Sequence, residues 1–427
     1  MRHVILYSGS AGLLKLAGFV LVVWLAKRLT VAEYATWGLL YSLQVGVALL
    51  GAVGIIESVI ALLKLCPAER DRNRLFAAAN GVFTFNIMLA ALLSSFLYLA
   101  VAERTAASAY TYSWVLASGG LLAASALQAQ FVRLEEKHAA SLYFSFVAPM
   151  AGMLGSLIAV MVEMSARSFY LGSALGLGLA LACGKIAGIG SFAFTRSVAD
   201  WKPILVRVGP FAAVGLLGWL SGYGNNYVTE LWFDAAEVAK FTLAFMLVGI
   251  LQLVASAMNQ VWSPRFYRLM QEQPAEEVEL RNRRFFQWQA VALGGTGALL
   301  IFIFPIAARL AGGNLAVYQS MRLELYLLVV AYIAIVPFWH CQNYLLVHDN
   351  GPAMMKIHVI SSLIGITVLA GLLVILGPLG VYVGFLVQMV LRSAAAVFVS
   401  RKKWRISIGW EGVGAGIGIA FGGFLLG

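Results

Sequence analysis

Charge is scarce in this chain. Asp, Glu, Lys and Arg together make up 11% of its 427 residues, whereas 61% are hydrophobic. A soluble globule cannot hide so much apolar surface beneath so little polar surface. That scarcity excludes a cytosolic enzyme, a nucleic-acid-binding module and a disordered scaffold. Cysteine is scarce too: Cys66, Cys183 and Cys341 lie far apart in sequence and imply no disulfide framework. Long polar stretches are also lacking. The longest connection between apolar runs is Pro264–Phe285, which leaves no room for a sizeable extramembrane catalytic domain. A cleavable leader is not expected, because the first apolar run is long and interrupted by Lys15.

What is present is a succession of apolar runs. A helix needs about 20 predominantly apolar residues to cross the hydrocarbon core. Twelve segments qualify: 4–26, 36–62, 75–102, 110–132, 139–162, 168–194, 205–231, 236–262, 286–308, 322–346, 352–376 and 379–400. A Gly-rich tail at 408–427 is a weaker thirteenth candidate. The expectation is an all-α integral membrane protein. Orientation follows from loop charge. With the N-terminus cytoplasmic, twenty Lys and Arg fall on the inside, seven fall outside, and Lys15, Lys185 and Arg392 lie within spans.

Two sequence echoes suggest a repeat. Ala32-Glu33-Tyr34-Ala35 recurs as Ala236-Glu237-Val238-Ala239, and Tyr170-Leu171-Gly172 recurs as Tyr382-Val383-Gly384. Six spans per half give two halves of the same orientation, a parallel repeat. The expected organisation is a six-helix lobe over 1–200, a second over 201–404 and a hydrophobic tail over 405–427, with the lobes around a central cavity.

The run Leu25-Ala26-Lys27-Arg28-Leu29-Thr30-Val31-Ala32-Glu33-Tyr34-Ala35-Thr36-Trp37 resembles the opening of bacterial polysaccharide-unit (O-antigen) flippases. So do Asp234-Ala235-Ala236-Glu237-Val238-Ala239, Trp262-Ser263-Pro264-Arg265-Phe266-Tyr267 and Leu376-Gly377-Pro378-Leu379-Gly380-Val381-Tyr382-Val383-Gly384. That family is part of the multidrug/oligosaccharidyl-lipid/polysaccharide exporter superfamily. The resemblance implies a non-enzymatic, two-lobed transporter in the bacterial inner membrane. Its cargo would be undecaprenyl-pyrophosphate-linked oligosaccharide for polysaccharide or lipopolysaccharide synthesis, moved by alternating access. It implies contact with membrane lipids and with a polysaccharide polymerase or glycosyltransferases, no nucleic acid, no cofactor, and H+ or Na+ as coupling ion. Family members often carry an acidic-basic pair in span seven, where this chain has Asn225-Asn226. The rival readings are a cation-coupled multidrug antiporter, a peptidoglycan lipid-precursor flippase and a non-transporting scaffold of a glycan-assembly complex.

The residues themselves suggest where an anionic head group binds. An ionised side chain at the bilayer centre costs about 2.5–3.5 kcal/mol on the lenient insertion scale, so it seeks a cavity or a partner. Lys15 lies roughly 16 Å into span one at about 1.5 Å per residue, flanked by small Ala11, Gly12 and Gly18. It is the first candidate for the pyrophosphate, against a plain reading as a snorkelling lysine. Lys185, read as near the middle of span six, and Arg392, nearer the end of span twelve, are the other deep cations. Glu57 is either a partner of Lys15, a proton relay or an inner-mouth carboxylate. Asn225, Asn226, Gln252, Asn259 and Gln260 either meet sugar hydroxyls or join helices. At about 4 Å and an effective dielectric near 20, one charge pair is worth about 4 kcal/mol, enough to select a pyrophosphate over neutral lipid. His340-Cys341-Gln342-Asn343 does not read as a metal site, since adjacent helical side chains diverge by about 100°. The loop arginines Arg265, Arg268, Arg281, Arg283 and Arg284, interleaved with aromatics, are expected to meet anionic lipid heads.

Overall fold

A computed structural model describes residues 2–63, 68–105, 108–348 and 351–426, with no side chain described for 2–9, 11, 101–105 or 210. Cys66 lies outside the described residues. Among the described residues the chain is helical, without strands. Ten helices are long and apolar enough to cross a membrane, and an eleventh span is counted if a bent pair at 198–221 is one crossing. The expected twelfth is the first helix, Arg2–Arg28. This is a multi-pass membrane protein.

The chain divides into two units. The first comprises residues 1–21 and 31–231, and the second 22–30 and 232–427. The first unit holds α1 (Arg2–Arg28, to residue 21), α2 (Val31–Ala52), α3 (Ile55–Leu63), α4 (Glu69–Thr105), α5 (Ala109–Leu134), α6 (His138–Leu142), α7 (Ala148–Val162), α8 (Ala166–Ile186), α9 (Val198–Ser221) and α10 (Asn225–Trp232). A single π-turn, Tyr143–Val147, joins α6 to α7. The second unit holds α11 (Ala235–Glu272), α12 (Ala275–Ala311), α13 (Arg322–Ala334), α14 (Val336–Val347), α15 (Gly351–Leu376), α16 (Leu379–Arg401) and α17 (Trp410–Leu426). Span seven packs with the first unit. The apolar runs identify the spans, but side-chain packing decides which bundle each one joins.

Local sequence explains the helix ends. Ser108 and Ser165 accept the N–H of Thr111 and Ser168, capping α5 and α8. Asp234 caps α11 by accepting the Glu237 N–H at 3.0 Å, and Glu237 stands at the capping-box position. Span two is broken where Gly54 takes φ +72° between α2 and α3, a conformation only glycine adopts cheaply. Span six is shorter than the expected 168–194. The Gly188 N–H bonds Lys185 O and the Ile189 N–H bonds Gly184 O, with Gly188 at φ +66°. This is a glycine stop that ends α8 at Ile186.

Glycine also sets how closely helices approach. A Cβ on Gly172 would stand 2.2 Å from Gly155 O, and one on Gly176 would stand 2.1 Å from Ala151 O. The α7–α8 seam is therefore a backbone-to-backbone contact of the small-residue kind that membrane helices use. In the second unit Gly294 and Gly416 play that part between α12 and α17, where a Cβ on Gly294 would meet Gly416 O at 2.3 Å.

Candidate functional sites

In the first unit, α2 is a docking spine for side chains from later helices. Its carbonyls at Trp37, Leu39 and Ser42 accept from Tyr170 OH, Tyr227 OH and Trp219 Nε1, each at 2.8 Å. Asn226 Nδ2 donates to Ser42 Oγ at 2.7 Å, and Gln44 Nε2 donates to Ser118 Oγ at 2.9 Å. All of these groups are buried, where an unpaired polar group is costly, so the network ties α5, α8, α9 and α10 to α2. Asn225 Nδ2 donates to Ser221 O across the turn between α9 and α10. Both asparagines are buried in the first unit, Asn226 bonded to α2 and Asn225 to the end of α9.

The ionisable candidates lie differently. Lys15 is exposed on α1, with open space beside Gly12 and only Met153 near Gly18. Glu57 is exposed on α3, one turn beyond the Gly54 break. Lys185 is exposed in the last turn of α8, because the helix stops at Ile186; the mid-span placement is corrected by the glycine stop. In the second unit Arg392 is buried, and its Nη2 donates to Ser362 Oγ at 3.3 Å. It points into the bundle. Of the neutral candidates, Gln252 and Gln260 are exposed, and Asn259 Oδ1 accepts from Gln289 Nε2 at 3.2 Å.

One polar cluster of the second unit includes residues that the sequence alone had not singled out. Glu279, near the start of α12, is buried. Its Oε1 accepts the Ser407 N–H at 2.7 Å and Ser407 Oγ at 3.2 Å. Tyr344 OH donates to Oε2, and His340 Nε2 lies 3.4 Å away. Beside it Trp262 Nε1 donates to Asn282 Oδ1 at 2.7 Å, and Trp262 stacks on Phe285 with centroids 4.7 Å apart. His340, read from the sequence only as not part of a metal site, is thus a neighbour of a carboxylate.

The signal that marks this region is a second repeat. Arg72-Asn73-Arg74-Leu75-Phe76 recurs as Arg281-Asn282-Arg283-Arg284-Phe285, 209 positions later. In each copy the second arginine pairs with an acid at the start of the helix after the next extended segment. Arg74 Nη2 meets Asp200 Oδ1 of α9 at 2.7 Å, and Arg283 Nη2 meets Glu411 Oε1 of α17 at 2.8 Å. Its own backbone N–H, then the Arg283 guanidinium, hold the Glu411 carboxyl below the ordinary range.

No family model matches this sequence, and no curated protein matches it. Solved structures do. The chain superposes on the lipid II flippase MurJ, in an inward closed conformation, with a TM-score of 0.68 over 99% of this chain and 97% of that one, at 11% identity. An inward-facing multidrug resistance MATE family transporter of the MOP superfamily gives 0.66, covering 91% and 94%, at 14% identity. The chain has the fold of these transporters. A eukaryotic MATE transporter, AtDTX14, gives 0.57 at 11% identity, covering 98% and 97%. Identities this low speak for the fold, and the cargo has to be argued from this chain's own residues.

Proposed function

We propose that this chain is a flippase that moves undecaprenyl-pyrophosphate-linked oligosaccharide across a bacterial inner membrane, with its N-terminus cytoplasmic. The fold shared with MurJ, along nearly the full length of both chains, supports a lipid-linked cargo. The observation that carries the reading is a pair of cations within apolar spans, alongside the buried carboxylates Glu230 and Glu279. Arg392 is a guanidinium buried within a span, bonded to a hydroxyl. Lys15 stands about halfway along α1 with open space beside Gly12. Cations in apolar spans favour a diphosphate head group over a cationic drug. In this reading Lys15 is the cation that the first unit offers to an anionic head group, Arg392 is a buried cation of the second unit, and Lys185 and Glu57 tune an aqueous mouth. Asn225 and Asn226 hold the first unit together. Polymerase or glycosyltransferase partners belong to the same reading.

The second reading is a cation-coupled multidrug antiporter, favoured by the likeness to MATE transporters. Purified protein in liposomes separates the two. Protection of a short fluorescent undecaprenyl-pyrophosphate oligosaccharide from an external glycosidase should be lost faster than without protein, with a plain phospholipid unaffected. Uptake of cationic dye under a proton or sodium gradient, with no lipid exchange, would assign the antiporter instead.

A further inference from the structure

Helices α15 and α16 form an antiparallel hairpin whose turn carries Gly377 at φ +58°. Three contacts fix its register. Arg392 Nη2 donates to Ser362 Oγ, a Cβ on Gly365 would meet the Gln388 side chain at 2.7 Å, and one on Gly384 would meet the Leu369 side chain at 2.5 Å. Six residues on from the Ser362–Arg392 pair, about 9 Å toward the open end of the hairpin, Lys356 of α15 stands level with Phe398 of α16. Both are exposed, as are Arg401 and Lys402 at the end of α16. Lys402 Nζ lies 4.2 Å over the Phe398 ring centroid, so its side chain turns back along α16 toward the level of Lys356.

These groups share the flank that α13 and α14 leave free. Ser393, whose Oγ bonds Ala334 O of α13, lies about 140° round α16 from Phe398. His358, whose ring meets Phe338 of α14 edge-on, lies about 160° round α15 from Lys356. The same flank continues as apolar surface, with Ala394 level with Ile360 and Leu363 a turn further, all exposed. Counter-charge is lacking. From Asn350 to Trp410 the sequence holds the cations Lys356, Arg392, Arg401, Lys402, Lys403 and Arg405 and no acid. Among the described residues no ion pair includes Lys356, Arg401 or Lys402. Two ammonium groups brought toward one ring repel each other unless an anion joins them.

We propose that this flank of the α15–α16 hairpin binds an anionic phospholipid, with the phosphate at Lys356 and Lys402 and an acyl chain along Phe398, Ala394 and Ile360. A soluble anion would use the cations and leave the apolar flank bare. A zwitterionic lipid would cover the flank and leave the net charge uncompensated. An anionic phospholipid satisfies both surfaces at once. The plain alternative is a pair of lysines reaching for the interface independently. It gives the Phe398 ring no part and predicts no selection among lipid classes. The site belongs to the second unit alone and does not depend on the transport reading.

The full chain in neutral detergent, titrated with phosphatidylglycerol or phosphatidylcholine and read by native mass spectrometry, tests the proposal. The first phosphatidylglycerol should bind at least about tenfold more tightly than phosphatidylcholine. Lys356→Gln and Lys402→Gln should each weaken it roughly fivefold. Lys202→Gln, the same charge change at an exposed position of α9, should leave it unchanged. Phe398→Ala keeps the charge but removes the ring under the Lys402 ammonium, and should also weaken phosphatidylglycerol binding. Equal binding of the two lipids, equal losses in Lys402→Gln and Lys202→Gln, or wild-type affinity in Phe398→Ala would overturn the proposal. Stronger binding of undecaprenyl phosphate than of phosphatidylglycerol, lost in the same variants, would assign the flank to a polyprenyl lipid and overturn it as well.

Discussion

The α7–α8 seam gives a prediction whose size can be worked from the backbone. Replacing Gly172 by Ala places a Cβ 2.2 Å from Gly155 O, and a main-chain oxygen cannot swing aside as a side chain can. Reaching even 3.4 Å, the lower edge of ordinary contact, requires the two helices to part by about 1.2 Å. Overpacking of this kind costs about 1–3 kcal/mol, offset by the roughly 0.5–1 kcal/mol that Ala gains over Gly inside a helix. Gly178, two turns along the same helix, is the internal control. A Cβ there meets only Leu121 Cδ1, at 3.7 Å. Gly178→Ala should be neutral or slightly stabilising, while Gly172→Ala should lower the melting temperature by roughly 2–4 °C for each kcal/mol of net cost in a bundle of this size. Thermal unfolding followed by size-exclusion chromatography in detergent gives both values on one footing. Equal melting temperatures for the two variants would refute close backbone contact along this seam.

Three further outcomes follow from the same structure. Asn226→Ala removes the donor to Ser42 Oγ in a buried network and should destabilise the first unit by about 1–3 kcal/mol in denaturant titrations; no change would mean that water replaces the amide. Glu411→Gln should matter only above the acid range. A carboxyl held low in the folded state contributes above its unfolded pKa, and that contribution fades as pH falls through the folded value, so wild-type and variant stabilities should converge at low pH. Because the Arg283–Glu411 pair is exposed, the effect should be small and should shrink in high salt. Lys15→Ala and Arg392→Ala that insert normally should slow lipid-linked oligosaccharide exchange at least tenfold in liposomes; wild-type exchange in either would remove that residue from the proposed path.

Much of the architecture was legible in the residues because the bilayer imposes a length rule. A crossing helix must be apolar over about 20 residues, so most span boundaries fell within a few residues of the helices observed. Where the rule misled, chain reversal was the cause. The apolar run at 168–194 continues through Gly188 and Ile189 although the backbone turns there, so Lys185 sits at a helix end and not in mid-span. The Arg-Asn-Arg repeat at 72–74 and 281–283 was present in the sequence as well. It gains meaning from its acidic partners, Asp200 and Glu411, which lie 126 and 128 residues away.

By itself, then, the chain's composition and periodicity determine an all-helical membrane protein, because burial of backbone polar groups in lipid leaves few other solutions. Tertiary structure decided the rest. It placed span seven with the first unit, turned Asn226 into a buried donor and Arg392 inward, and brought Ser407 of a distant segment onto Glu279. Those outcomes depend on contacts between residues tens to hundreds of positions apart. Hydropathy along the chain is a local quantity and carries no information about which of those contacts form.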